Sequence, residues 1–171
     1  MASYYTTSSV IGVDFNTVGS TQLFAVGTKA NGSSGTEWVY CRAGGAITAF
    51  KACIINGNFT VAMASAGDLL GSVTAGRIGV PQVAFTSGDW GWVPVNGLLY
   101  CMMTASVTLA VSGVPMAIGA SAVSTGMFVQ SSASGTVQGI TPVAFGSGGQ
   151  TATATAMQCI LSWPRIGTPH F

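Results

Sequence analysis

Trp90-Gly91-Trp92-Val93-Pro94-Val95-Asn96-Gly97-Leu98-Leu99-Tyr100-Cys101-Met102-Met103 sets two apolar runs on either side of an Asn-Gly pair. Residues of these types suit a pleated, half-buried surface. Alternation along a strand puts Trp90 and Trp92 on the same side. Asn and Gly both tolerate positive φ, so Asn96-Gly97 predicts a two-residue hairpin joining strands at 91–95 and 98–103.

The pattern extends outward in both directions. Further strands are predicted at 23–28, 37–43, 51–55, 60–63, 79–85, 107–111, 137–145 and 156–161. Turn signals separate them: Asn31-Gly32-Ser33-Ser34-Gly35, Asn56-Gly57-Asn58, Ser87-Gly88-Asp89 and Gly146-Ser147-Gly148-Gly149. The helix formers Glu, Lys and Gln are scarce, and no window carries a helical stripe. One short helical stretch is expected at 66–70. The fold class is therefore all-β, an antiparallel barrel or sandwich.

Composition bounds what such a fold can do. The chain has 171 residues, 49% hydrophobic and 5% charged, with a net charge of +1. An average soluble domain carries about 25% charged residues, which cover its surface. Here the charges are Lys29, Arg42, Lys51, Arg77, Arg165, Asp14, Glu37, Asp68 and Asp89. A surface so poor in charge suits a chain buried in an assembly, since obligate interfaces are apolar and charge-depleted. A Ser- and Thr-covered monomer is the alternative. Five scattered basic residues make no phosphate-binding face and no polybasic lipid patch, so no nucleic acid and no membrane partner is expected.

The stretch 98–123 is the most apolar, yet Thr104, Ser106, Thr108, Ser112, Gly113, Pro115, Gly119 and Ser121 break it. A spanning helix needs about 20 mainly apolar residues. The start, Met1-Ala2-Ser3-Tyr4-Tyr5, has neither the positive nor the apolar region of a secretory signal. A soluble protein made in the cytoplasm is expected. Cys41, Cys53, Cys101 and Cys159 form no CxxC pair, and each lies in or beside an apolar run. Two disulfides are allowed by count; buried free thiols, behaving as small hydrophobes, are the reading that fits the absence of an export signal.

A search for chemistry finds little. A Ser–His–Asp centre needs a histidine, and His170 stands next to the C-terminal residue. The four carboxylates fall in or beside expected loops and strand ends, where solvation is the ordinary outcome. No phosphate-loop motif and no zinc-ligand spacing occurs. The sequon Asn58-Phe59-Thr60 reads as a turn. No enzyme activity, catalytic residue, cofactor, metal or small-molecule substrate is expected.

Self-similarity adds organisation. Gly79-Val80-Pro81-Gln82-Val83-Ala84-Phe85-Thr86-Ser87-Gly88 matches Gly139-Ile140-Thr141-Pro142-Val143-Ala144-Phe145-Gly146-Ser147-Gly148 at an offset of 60. The same offset puts Val39-Tyr40-Cys41 on Leu99-Tyr100-Cys101 and Ala46-Ile47-Thr48 on Ser106-Val107-Thr108. Two similar units, 36–88 and 96–148, are one reading. Chance matching in a Gly/Ala/Ser/Thr/Val-rich chain is the other.

The ordered set Gly35-Thr36-Glu37-Trp38-Val39-Tyr40-Cys41-Arg42-Ala43-Gly44-Gly45-Ala46-Ile47, Gly76-Arg77-Ile78-Gly79-Val80-Pro81-Gln82-Val83-Ala84-Phe85 and Asp89-Trp90-Gly91-Trp92-Val93-Pro94-Val95-Asn96-Gly97 resembles the capsid decoration, or cement, proteins of tailed bacteriophages. The likeness covers roughly 27–126, with a weaker echo at 137–161. The low charge and the four cysteines depart from that family's pattern. The resemblance implies a jelly-roll or β-tulip-like domain that forms a homotrimer on the outer surface of the virion head. There it would clamp neighbouring major capsid proteins.

Within that picture the chain divides into an N-terminal arm, 1–22, and one β-domain, 23–171. Tyr4, Tyr5, Val10, Ile11 and Phe15 would anchor the arm on a neighbouring subunit. A first strand of the barrel or a loose tail are the alternatives. Trp90 and Trp92 read either as core residues of one sheet or as a contact surface. A phage fibre or receptor- or carbohydrate-binding β-module, with one of these tryptophans stacked on a sugar, is the rival reading.

Overall fold

A computed structural model describes residues 13–65, 77–103, 116–118, 126–130, 136–142 and 155–167. Ten strands carry the fold: β1 (Lys29–Asn31), β2 (Glu37–Ala43), β3 (Cys53–Ile55), β4 (Thr60–Met63), β5 (Arg77–Gly79), β6 (Trp90–Met103), β7 (Met116–Ile118), β8 (Phe128–Gln130), β9 (Thr136–Pro142) and β10 (Thr155–Gly167). Among the described residues there is no α-helix, only a 3-10 turn at Ser33–Gly35. The strands make one curled, mainly antiparallel sheet, a half-barrel, in the order β1-β2-β4-β3-β5-β10-β6-β8-β7-β9. The all-β expectation holds.

Two added ladders, β2–β6 and β10–β9, join strands that stand apart in that order. Hydrogen-bonded neighbours therefore form two rings that share β6 and β10. One runs β2-β4-β3-β5-β10-β6, the other β6-β8-β7-β9-β10. Single residue pairs complete them at Arg165↔Arg77, Met103↔Phe128 and Met116↔Val137. Whether the two proposed 60-residue units superpose lies largely outside the described residues, as do the expected helix at 66–70 and strand at 107–111.

The burial of β2 shows how the cores are arranged. Val39, Cys41 and Ala43 join Val93, Val95, Cys53, Ile55 and Val61 in one apolar cluster. Trp38 and Tyr40, on the alternate positions, join Trp92, Phe15, Leu99, Cys101, Phe128 and Leu161 in the other. Period-2 alternation thus supplies two cores from one strand. Burying both faces explains why Trp38-Val39-Tyr40-Cys41 reads as an unbroken apolar run.

The hairpin expected at Asn96-Gly97 does not form. One strand, β6, runs unbroken from Trp90 to Met103. Its partner β10 ladders along the second half as far as the pair, with Leu161 opposite Gly97 and Ser162 opposite Asn96. On the other side β2 slips by one residue: Glu37 faces Asn96 but Trp38 faces Pro94. This is a β-bulge with Val95 as the extra residue, and Gly97 beside it uses its positive φ of 107° within the strand rather than in a chain reversal. A Cβ on Gly97 would lie 2.7 Å from Thr36 Cγ2 and 2.8 Å from its Cα.

The bulge also changes the phase of the strand. Trp92 and Leu99 stand at an odd separation, which strict alternation sends to opposite faces. Here both enter the same core. Leu98 and Tyr100 turn outward in consequence.

Two other expectations shift. The strand expected at 23–28 begins only at Lys29. A turn closed by Thr28 N–H and Thr28 Oγ1, both donating to Ala25 O at 3.1 and 2.7 Å, interrupts it. The strand expected at 79–85 ends at Gly79, because Pro81 has no N–H for a ladder.

Candidate functional site

Two surfaces stand out, one on each half of β6. On the first half, Trp92 is core: 2% exposed, with Phe15, Phe24 and Tyr40 around it at ring-centroid distances of 5.4, 5.2 and 5.2 Å. Of the two readings for Trp92, packing inside the chain is the observed one. Phe15 corrects a further expectation. It is fully buried, stacked on Trp38 at 4.6 Å, and so anchors its own domain rather than a neighbour. A ring that finds two tryptophans in its own core leaves no surface for a partner. Val13 is buried with it, and Gly19 exchanges backbone hydrogen bonds with Trp90 at 3.1 and 2.8 Å. Residues 13–19 of the expected arm thus pack on the β-domain. Tyr4, Tyr5, Val10 and Ile11 lie outside the described residues.

Trp90 is half-buried and borders an open cleft of about 590 Å³. Tyr40, Phe24, Leu23 and Trp92 supply the apolar side of the cleft; Asp14, Thr17, Ser20 and Thr21 supply the polar side. Tyr40 lies parallel to Trp90 at 6.4 Å, and the Arg42 guanidinium stands over the Trp90 ring at 5.3 Å. The wall is built by local hydrogen bonds. Asn16 N–H donates to Asp14 Oδ1 at 2.9 Å, Thr17 Oγ1 donates to Asp14 Oδ2 at 3.1 Å, and Leu23 N–H donates to the Tyr40 hydroxyl at 3.1 Å.

The second half of β6 carries an exposed apolar face. Leu98 is 48% exposed, Tyr100 47% and Ile160 44%. Ile160 pairs directly with Leu98 across the β6–β10 ladder, and Tyr100 is two residues further along the same side. Beyond the end of β2, the free edge of β6 is closed. Gln82 Nε2 donates to Tyr100 O and Tyr100 N–H donates to Gln82 Oε1, both at 3.1 Å. Met102 N–H donates to Phe50 O at 2.7 Å. A partner at this face meets side chains rather than an open strand edge.

Ionisable groups do not converge on either surface. Among the described residues no group of three His, Cys, Asp or Glu could hold a metal ion. Asp89 caps its own turn, accepting from Thr86 N–H at 2.7 Å and from the Thr86 hydroxyl. Those bonds, the hydroxyl first, hold its carboxyl below the usual range.

All four cysteines are buried free thiols. Burial pushes Cys41 up to about 12 and raises Cys53 further, with Cys41 nearby adding to it. A hydrogen bond with Cys159, then burial, raises Cys101. Cys41, Cys53 and Cys101 therefore stay protonated and inert at neutral pH. No helix among the described residues is long and apolar enough to cross a membrane.

The exposed face was missed in sequence because its signal depends on the bulge. With unbroken alternation, Leu98 and Tyr100 would share the side of Trp92. Comparison with known proteins returned no matching family, no matching curated protein and no matching solved structure.

Proposed function

We propose that this chain is a non-enzymatic structural protein that decorates a tailed-bacteriophage head. It associates as a homotrimer on the outer surface of the virion and clamps neighbouring major capsid proteins. The observation that carries this reading is the apolar face of Leu98, Tyr100 and Ile160 on a chain with only 5% charged residues. Three adjacent large apolar side chains on a rigid ladder suit a contact surface better than a solvated one. The closed edge of β6 directs that contact through side chains, which allows a defined stoichiometry instead of open-ended strand addition. Many such copies on a lattice add stabilisation through multivalency, without chemistry. The resemblance of 27–126 to decoration proteins supplies the partner.

Sedimentation velocity of the purified chain should show a trimer, and the trimer should co-sediment with expanded heads. A monomer that leaves the heads bare would defeat the proposal.

A further inference from the structure

The aromatic cleft on the first half of β6 opens beside the core and apart from the exposed face, with core residues Tyr40 and Trp92 at its floor and the half-buried Trp90 at its side. Its volume of about 590 Å³ falls within the range of small-ligand sites, about 300–1,000 Å³. One side is aromatic and aliphatic: Trp90, Tyr40, Phe24 and Leu23. The other is lined by the polar residues Asp14, Thr17, Ser20 and Thr21.

The Asp14 carboxylate is oriented before any ligand arrives, because Asn16 N–H and Thr17 Oγ1 each donate to one of its oxygens. A carboxylate has about four acceptor positions, so two stay available to hydroxyl donors. Asp14 on the wall and Arg42 beside Trp90 balance in charge, which favours a neutral ligand over an anion or a cation.

A ligand complementary to these features has an apolar face of C–H groups, a rim of hydroxyls and no net charge. We propose that the cleft binds a neutral saccharide, with one pyranose ring laid on Trp90 and its hydroxyls donating to Asp14. The sugar is held and released unchanged, so the site needs no catalytic group. Trp90 supplies rigid area at low entropy cost, while Asp14 fixes the orientation of the ring.

Tryptophan fluorescence and saturation-transfer NMR would test this on the full chain. The probes are the methyl glycosides of glucose, galactose, mannose and N-acetylglucosamine at millimolar concentration. At least one should saturate. Trp90→Ala should raise its Kd about tenfold or more, as expected for an aromatic anchor. Asp14→Asn should raise it about three- to tenfold, and it keeps the test valid if the tryptophan variant folds poorly. Trp163→Ala, at an exposed ring on β10 capped by Lys29 Nζ at 5.5 Å, should leave Kd unchanged. No saturation by any of the four probes, or a Kd unchanged from the parent in both Trp90→Ala and Asp14→Asn, would overturn the proposal. Co-sedimentation of the Asp14→Asn variant with heads should be normal, because the saccharide site does not depend on the packing role.

Discussion

The two halves of β6 belong to one strand, yet they do opposite things. From Gly91 to Val95 every residue is buried, because β2 runs alongside and a core lies on each face. From Leu98 to Met103 only one face is covered: Leu99, Cys101 and Met103 point inward while Leu98 and Tyr100 stay exposed. The same residue types, with the same β preference, make a core in one place and a surface in the other. What separates them is the bulge at Val95, the positive φ of Gly97 after it and the end of β2 alongside.

The largest effect that would sharpen the contrast comes from truncating one aromatic in each half. Trp92→Ala removes a ring in contact with Phe15, Phe24 and Tyr40 and should cost about 3–5 kcal/mol in urea unfolding. Tyr100→Ser, on the exposed face, should stay within about 0.5 kcal/mol while weakening trimer formation and head binding in sedimentation. Equal stability losses in the two variants would erase the distinction between the halves.

The bulge itself comes next. Gly97→Val forces a β-branched residue to φ 107° and drives a Cβ into Thr36. A loss of about 1–3 kcal/mol is expected from backbone strain alone. A variant as stable as the parent would mean that the strand passes this point without the bulge.

The smallest effect concerns Cys41, which sits on the fully buried part of β2 beside the first half of β6. The folded thiol holds its proton to about 12, against 9.0 for an ordinary one. Stability from this group is therefore complete below pH 9.0 and is lost as the pH rises towards 12. The slope is at most about 1.4 kcal/mol per pH unit for one thiol. In thermal melts over the single unit from pH 9 to 10, where the difference is at most about 1.4 kcal/mol, Cys41→Ala should show a shallower decline than the parent. An identical slope would show that the core around Cys41 admits water.

Much of the fold was legible from local pattern. Glu37–Ala43 and Thr60–Met63 are strands with the expected limits, because their runs end at turn residues on both sides. The reading of Asn96-Gly97 failed for a reason that short-range signals cannot show. Positive φ at Gly97 serves a hairpin and a bulge equally well. The choice was made by two distant strands, β2 laddering onto Trp90–Pro94 and Asn96 and β10 onto Asn96–Met103, which together hold the halves in line. Phe15 likewise reads from sequence as a stray aromatic in a polar terminus, and only the space between Trp38 and Trp92 gives it a place. Trp90 reads from sequence as a candidate stacking surface, but the cleft beside it was not legible, since Asp14, Tyr40 and Trp90 meet only in the folded chain.

Taken alone, the sequence determines that this chain is β, poor in charge and equipped with apolar alternation, since these follow from residue type and spacing. Tertiary structure decided which apolar residues are core and which are surface. Side-chain direction along a strand has a period of two, so a single bulge at Val95, set against the distant strand β2, turns Leu98 and Tyr100 outward and carries Leu99 into the core.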